Sequence, residues 1–312
     1  MDTYHFGDIE FRHLLSFRAV AETGSFHQAA ESLDYTQSAV SQHVAALESM
    51  LGVRLIDRAR GRRTVEVTEA GKLLLRHADA IVARMHAARA DLRAYAEGAT
   101  GVLRVGTYQS VGARVLPATL GIFTGLWPNV EVHLVETNSD DGLLDLVESG
   151  DLDLSFAVYP LSEGPFEAVE LFRDPYVLVV PAASPLTKLD RPATAGEIAE
   201  LPLIGFRHCR STGAAEDYLR ANGGNPQWVF RSDDNTTVQA LVVAGIGVAL
   251  VPRLTVDEMD PNCAIIETDV PPRVLTLAWH RDRYRSPGQV AFVELARHVC
   301  LDLQQKVAPT LA

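Results

Sequence analysis

The chain has 312 residues, is 47% hydrophobic and carries 28 Lys and Arg against 40 Asp and Glu, a formal net charge of −12. That length and apolar content predict two domains or more, each with a sizeable core; no stretch approaches the ~18 apolar residues of a membrane span, and the longest apolar run, 240–251, holds two glycines. The acidic start "MDTYHFGDIEF" lacks a basic-then-apolar signal pattern, and the three cysteines, Cys209, Cys263 and Cys300, without metal-ligand spacing, suit a reducing cytosol with no metal and no cofactor.

The charge is unevenly spread. Residues 1–97 hold 12 Lys and Arg against 13 Asp and Glu, whereas the remainder holds 16 against 27. Nucleic-acid binders are often globally basic, so any contact with an anion must come from local patches here, because screening limits the reach of distant charge to ~8–10 Å.

The stretch "FRHLLSFRAVAETG" predicts a helix with Leu14, Phe17, Val20 and Ala21 on one face and Gly24 at its end. Ser25 followed by Gln28 matches a capping box, so a second helix starts at Phe26 and stops near "DY". Thr36 is a plausible N-cap for a third helix that ends at Gly52. Its buried stripe is Val40, Val44, Leu47 and Leu51. The opposite face shows Gln37, Ser38, Ser41, Gln42 and Ala45, and no carboxylate occurs from Thr36 to Leu47. Two short helices joined by a tight turn describe a helix-turn-helix. Arg54, Arg58, Arg60, Arg62 and Arg63 follow, offset by Asp57. "RGRR" reads as a turn and "TVEV" as a strand, together a basic wing.

A long helix from Thr68 and Glu69 to roughly Ala96 places Leu74, Ala78, Ile81, Met85, Ala88, Leu92 and Tyr95 at alternating spacings of 4 and 3. That is a heptad seam over about three repeats, of the kind that buries itself against a second chain. "EGATG" (97–101) reads as a linker. Beyond it, strand-like and helix-like segments alternate, from "VLRVGTY" to the closing "RVLTLAWH" and "SPGQVAFVELARHVCLDLQQK". Such βαβ order implies parallel sheets with right-handed crossovers, here as two α/β units flanking a cleft.

A major groove admits one α-helix, and glutamine suits adenine N6 and N7. Gln37 and Gln42 are therefore candidates for base contact, with Ser38, Ser41 and Ala45 permitting close approach and the helix start at Thr36 favouring phosphate. Arg58, Arg60, Arg62 and Arg63 would hold the DNA backbone. In open α/β sheets, ligands sit where strands end and helices begin. Ser110 is one such place and Asn235 with Thr236 another.

From "FRAVAETGSFHQAAESLDYTQSAVSQHVAALESMLGVRLIDRARGRRTVEVTEAG", through the long helix, "GDLDLSFAV" and "LVVAGIGVALVP", nearly the whole chain resembles the LysR-type transcriptional regulators. Ser38 departs from the proline common there, and Ile56 from phenylalanine. The resemblance implies a multidomain α/β protein. Residues 1–67 would be a winged helix-turn-helix DNA-binding domain, 68–97 a linker and dimerisation helix, and 98–312 a two-lobed effector-binding domain like a periplasmic binding protein. Lobe I would span about 101–161 and 268–312, and lobe II about 162–267. The resemblance places effector contacts at Ser110, in the loop 138–140 and in the loop 206–211; the candidate effector residues are Tyr108, Gln109, Ser110, Asn138, Asp140, Tyr159, Phe206, Arg207, His208, Asn235 and Thr236. Arg207, His208 and Arg210 suit a carboxylate, whereas Asp140, Asp233 and Asp234 oppose one, which favours a polar, zwitterionic or amine-bearing effector. Expected partners are duplex DNA with an interrupted inverted repeat, a second or fourth copy of the chain, and RNA polymerase; a membrane is not among them. Alternatives are redox sensing through Cys209 and DNA binding independent of an effector. An enzyme built from the lobes lacks support, since no nucleophile motif, HExxH or phosphate loop occurs.

Overall fold

The computed structural model describes residues 8–57, 65–97, 101–137, 139–207 and 210–307. It divides into two units, Met1–Arg89 and Ala90–Ala312.

The first unit is helical. It holds α1 (Phe11–Thr23), α2 (Phe26–Ser32), α3 (Gln37–Leu51), a two-stranded ribbon of β1 (Ile56–Asp57) and β2 (Glu66–Val67), and the first part of α4 (Glu69–Glu97). Local chemistry sets the boundaries. Gly24 takes a left-handed φ of 64° and closes α1. Ser25 Oγ accepts from the Gln28 N–H, and Thr36 Oγ1 from the Ala39 N–H at 3.2 Å, so both short helices start on a side-chain oxygen. Phe17, Val20, Val40, Val44 and Leu47 are fully buried. Each such side chain contributes roughly 1.5–3 kcal/mol of transfer free energy. Gly71 is required near the start of α4, because a Cβ there would lie 2.2 Å from the Leu55 carbonyl oxygen.

The second unit contains two five-stranded sheets. Its elements in chain order are β3 (Gly101–Thr107), α5 (Gln109–Arg114), α6 (Leu116–Leu126), β4 (Val130–Glu136), α7 (Asp140–Ser149), β5 (Leu154–Val158), β6 (Phe166–Asp174), β7 (Tyr176–Pro181), α8 (Ala195–Ala199), β8 (Pro202–Phe206), α9 (Arg210–Ala221), β9 (Gln227–Ser232), α10 (Asn235–Val243), β10 (Val248–Pro252), β11 (Cys263–Glu267), β12 (Arg273–His280) and α11 (Pro287–Val307). The first sheet runs β4-β3-β5-β12-β6 and the second β11-β7-β10-β8-β9. The expected parallel pairings are present at β3 with β4 and β5, and at β8 with β9 and β10. The return strand β12 is antiparallel to both of its neighbours, as β7 is to β10 and β11, so both sheets are mixed.

Two expectations need correction. Residues 166–174 were assigned to lobe II, but β6 pairs with β12 along its whole length and belongs to the first sheet. The chain changes sheets at Pro175, which has no N–H to continue a ladder. Second, the stretch "SVGARVLPATLGIFTGL" (110–126), which reads as a single helix, forms two that meet at Val115.

Candidate DNA-facing helix and interlobe cavities

Of the carboxylate-free face of α3, Gln37, Ser38, Gln42 and Ala45 are exposed, as is Thr36, while Ser41 is half-buried. Thr36 Oγ1 also lies 3.0 Å from Ser38 Oγ, which restrains the first turn that a proline would otherwise stiffen. Behind this face, His43 Nδ1 lies 2.8 Å from Ser16 Oγ, and its ring meets Tyr35 and His13 edge-on. Burial holds the His43 pKa below the usual histidine value, helped by His13 and Arg12. Glu48, unremarked in the sequence, fixes the end of the helix to the ribbon: its Oε1 accepts from the Leu55 N–H at 2.8 Å and the Ile56 N–H at 3.1 Å. The ribbon strands pair antiparallel as expected, with Ile56 opposite Val67. Arg58, Arg60, Arg62 and Arg63 lie outside the described residues.

The heptad seam divides. Ala78 is fully buried in its own unit, as is Val82 one turn later, so Ala78 is not available to a second chain. The α4 stripe that packs on α1 is offset from the 4-and-3 pattern. Ile81, Met85, Ala88 and Leu92 remain exposed. Leu74 is partly buried on the core, and it lines, with Ile9, Phe11, Ile81 and Met85, an apolar groove of about 650 Å3.

In the second unit, the residues expected to hold an effector fall into two groups. Gln109, Asn235 and Thr236 line a cavity of about 300 Å3 between α5 and α10. Its walls are already joined: Gln109 donates to Asp234 Oδ2 at 3.0 Å and accepts from the Asn235 N–H at 2.9 Å. Asp234 also caps α10 by accepting from the Thr237 N–H. The Gln109 amide, then the Thr237 N–H, hold its carboxyl below the ordinary carboxylate range. That helix start therefore already carries a negative charge.

Tyr159 belongs to the other group. It lines a cavity of about 490 Å3 with Tyr176, Arg210, Gly213, Tyr218 and Arg273. Ser110 sits beside that cavity, its Oγ accepting from Arg273 Nη2 at 3.0 Å. The Arg273 guanidinium lies over the Tyr108 ring at 5.5 Å and pairs with Asp174 at 2.7 Å. Asp174 is fully buried and also accepts from the Leu254 N–H at 3.1 Å. Burial pushes its carboxyl up, and the Arg273 charge pulls against that. Asp174 ends β6, Arg273 begins β12 and Leu254 follows β10, so one ion pair ties the crossover segments together. Sequence reading missed this pair, because its two partners stand 99 residues apart in the chain.

Phe206 is buried in a core shared with Val238 and Val242 of α10, and Arg207 is exposed with Nη2 on the Arg231 carbonyl. Neither lines either cavity. Asn138, His208 and Cys209 lie outside the described residues, and of Asp140 the structure describes only the backbone, at the first position of α7. Among the described residues no cluster suits a metal, and no helix is long and apolar enough to cross a membrane.

A helix-turn-helix with a carboxylate-free outer face, a long one-sided helix and a two-lobed α/β unit with interlobe cavities define a ligand-responsive DNA-binding regulator. Comparison with known proteins agrees. Residues 11–72 match the bacterial regulatory helix-turn-helix proteins of the lysR family, and residues 96–301 match the LysR substrate binding domain. The chain is 30% identical to the probable HTH-type transcriptional regulator LrrA of Synechococcus elongatus, over 92% of this chain and 96% of that one. Among solved structures it is similar to full-length CbnR complexed with its target DNA (25% identity, TM-score 0.62, covering 93% and 99% of the two chains). It is also similar to a cysteine mutant of OxyR from Corynebacterium glutamicum (27% identity, TM-score 0.61, 97% and 96%). The chain belongs to the LysR family of DNA-binding transcriptional regulators and carries that family's effector-binding domain.

Proposed function

We propose that this regulator reads an interrupted inverted repeat in duplex DNA through Gln37, Ser38, Ser41 and Gln42 of α3, with Thr36 and Arg58, Arg60, Arg62 and Arg63 on phosphates. The observation that carries this reading is the exposed face of α3, free of carboxylates in an acidic chain. A carboxylate there would meet the phosphate field. One such face makes too few contacts for tight specific binding, so two copies joined along Ile81, Met85, Ala88 and Leu92 would present two recognition helices to successive major grooves. A homodimer, or a homotetramer of two such pairs, satisfies that geometry. A small polar effector between the lobes would then bias which spacing the helices adopt, with RNA polymerase as a downstream partner and the cytoplasm as the location. The domain limits that go with this reading are 1–67, 68–97 and 98–312. No turnover of the effector is expected.

Gel-shift titration with the DNA upstream of its own gene tests the reading. Gln37→Ala with Ser41→Ala is expected to remove the preference over random DNA, since a lost base contact costs about 1–3 kcal/mol. Unchanged preference would refute the assignment of α3. The OxyR likeness supports a second reading, redox control through Cys209. The two described thiols do not fit it: burial raises the Cys263 pKa and pushes that of Cys300 up to about 12, so both stay protonated and inert.

A further inference from the structure

The packing between α1 and α3 includes two histidines. His13 of α1 is buried, as is Ser16 one turn on, and His43 of α3 is half-buried against them. The ring centroids of His13 and His43 are 5.7 Å apart. His43 also meets the Tyr35 ring at 5.4 Å, and its Nδ1 lies 2.8 Å from Ser16 Oγ. One imidazole thus touches both α1 and the turn that leads into the Thr36 cap. In that turn Asp34 holds a left-handed φ of 55°, a conformation that persists in a non-glycine residue where surrounding contacts enforce it.

Both rings are placed as neutral groups. His13 stands at the third position of α1, where its Nδ1 accepts from the Glu10 N–H at 3.0 Å, as Glu or Gln does in an ordinary capping box. An imidazolium carries a proton on both nitrogens and cannot accept, so protonation of His13 removes this bond. The Ser16 hydroxyl suits either form of His43, but a charge there is opposed. Burial favours the neutral ring, His13 and Arg12 add to that, and Glu10 pulls the other way. The acids of the surrounding elements are engaged or exposed. Glu10 pairs with Arg12 at 2.7 Å, Glu31 of α2 lies 3.6 Å from His27, and Asp79 of α4 pairs with Arg18 at 3.0 Å. Asp34 is exposed, and Glu48 of α3 is bound to the ribbon. His77 of α4 lines the apolar groove.

We propose that the His13–His43 pair is a proton-operated joint between α1 and α3, which releases the recognition helix from its DNA-reading position as the surroundings acidify. Imidazole is the side chain that ordinarily changes charge between about pH 5 and 8. A proton taken up by the loosened unit and excluded by the ordered one opposes DNA binding, by up to about tenfold per pH unit. Ordinary electrostatics runs the other way, because acid adds positive charge and strengthens the hold on phosphates. The sign of the pH dependence is therefore diagnostic. The inference rests on the reading of α3 as the DNA-reading helix.

The test is fluorescence anisotropy of the full chain, from about pH 8 to about pH 5.5, on the DNA upstream of its own gene and on random DNA of the same length. Affinity for the upstream DNA is expected to fall about tenfold or more across that range, while random DNA binds no more weakly. His13→Gln keeps an acceptor at the third helical position. Together with His43→Gln it is expected to match the wild type at the upper pH and to hold that affinity at the lower. Circular dichroism of the same samples reports folding; should the double variant not fold, His43→Gln alone is expected to give a shallower fall than the wild type. The inference is overturned if wild-type affinity for the upstream DNA stays level or rises on acidification. It is also overturned if random DNA weakens in parallel, or if the variants lose affinity as steeply as the wild type. Gln37→Ala with Ser41→Ala separates the two levels. Loss of preference at the upper pH beside a level wild-type profile sinks only the joint, whereas unchanged preference sinks the reading of α3.

Discussion

At the scale of single residues, one buried ion pair and one half-buried histidine set the sharpest expectations. Asp174 and Arg273 share one ion pair, with side-chain exposures of 0% and 4%. Removing one partner leaves the other charge without compensation, so Asp174→Asn is expected to cost about 3–5 kcal/mol in urea unfolding. Replacing both by apolar residues of similar volume, Asp174→Leu with Arg273→Met, should recover much of that loss. His43 behaves differently. Its pKa is lowered in the folded chain, so the unfolded chain binds the proton more readily. Stability is thus retained above the unfolded value of about 6.5 and declines as pH falls below it. Thermal unfolding against pH should show that decline, and His43→Gln should flatten it.

At the scale of elements, the contact between α3 and the ribbon matters more than either part alone. Glu48 accepts two backbone N–H groups of the segment that leads into β1. Glu48→Ala leaves both without their partner, at about 1–3 kcal/mol each where water cannot replace it. DNA affinity should fall along with the melting temperature. Gly71→Ala should act at the same place, because the Leu55 carbonyl must move to admit a methyl group. Most elements could be read from the sequence, since their signals are local: Ser25 and Thr36 as caps, Gly24 as a stop, the paired periodicity of α3. What could not be read was non-local. The heptad spacing of α4 is genuine, but Ala78 faces its own core, because which stripe is covered depends on where α1 lies. The "FEAVELFRDPYVLVVP" run reads as one strand-like segment, and only sheet membership separates β6 from β7. Candidate effector residues follow from the family resemblance and from positions after strands, and neither says which side of the crossover segments each one faces. Tyr159 and Gln109 ended in different cavities for that reason, and the Asp174–Arg273 pair, 99 residues apart in sequence, had no local signature at all.

At the scale of the molecule, the exposed run of Ile81, Met85 and Leu92 bears on assembly. Met85→Glu with Leu92→Glu should shift the protein toward the monomer in sedimentation. The dependence of DNA affinity on salt should become shallower with it, since its slope follows the number of phosphates engaged. Connectivity of the effector domain has another consequence. β12 lies between β5 and β6, yet it is reached only after the whole second sheet has been traversed. A ribosome-bound chain can complete the second sheet while the first still has a gap at its middle. A nonsense codon shortly before Arg273 would therefore spare the later-starting lobe and ruin the earlier one. A stop anywhere in α11, which covers the first lobe through Phe292, Ala296 and Val299, would injure that same lobe by uncovering it.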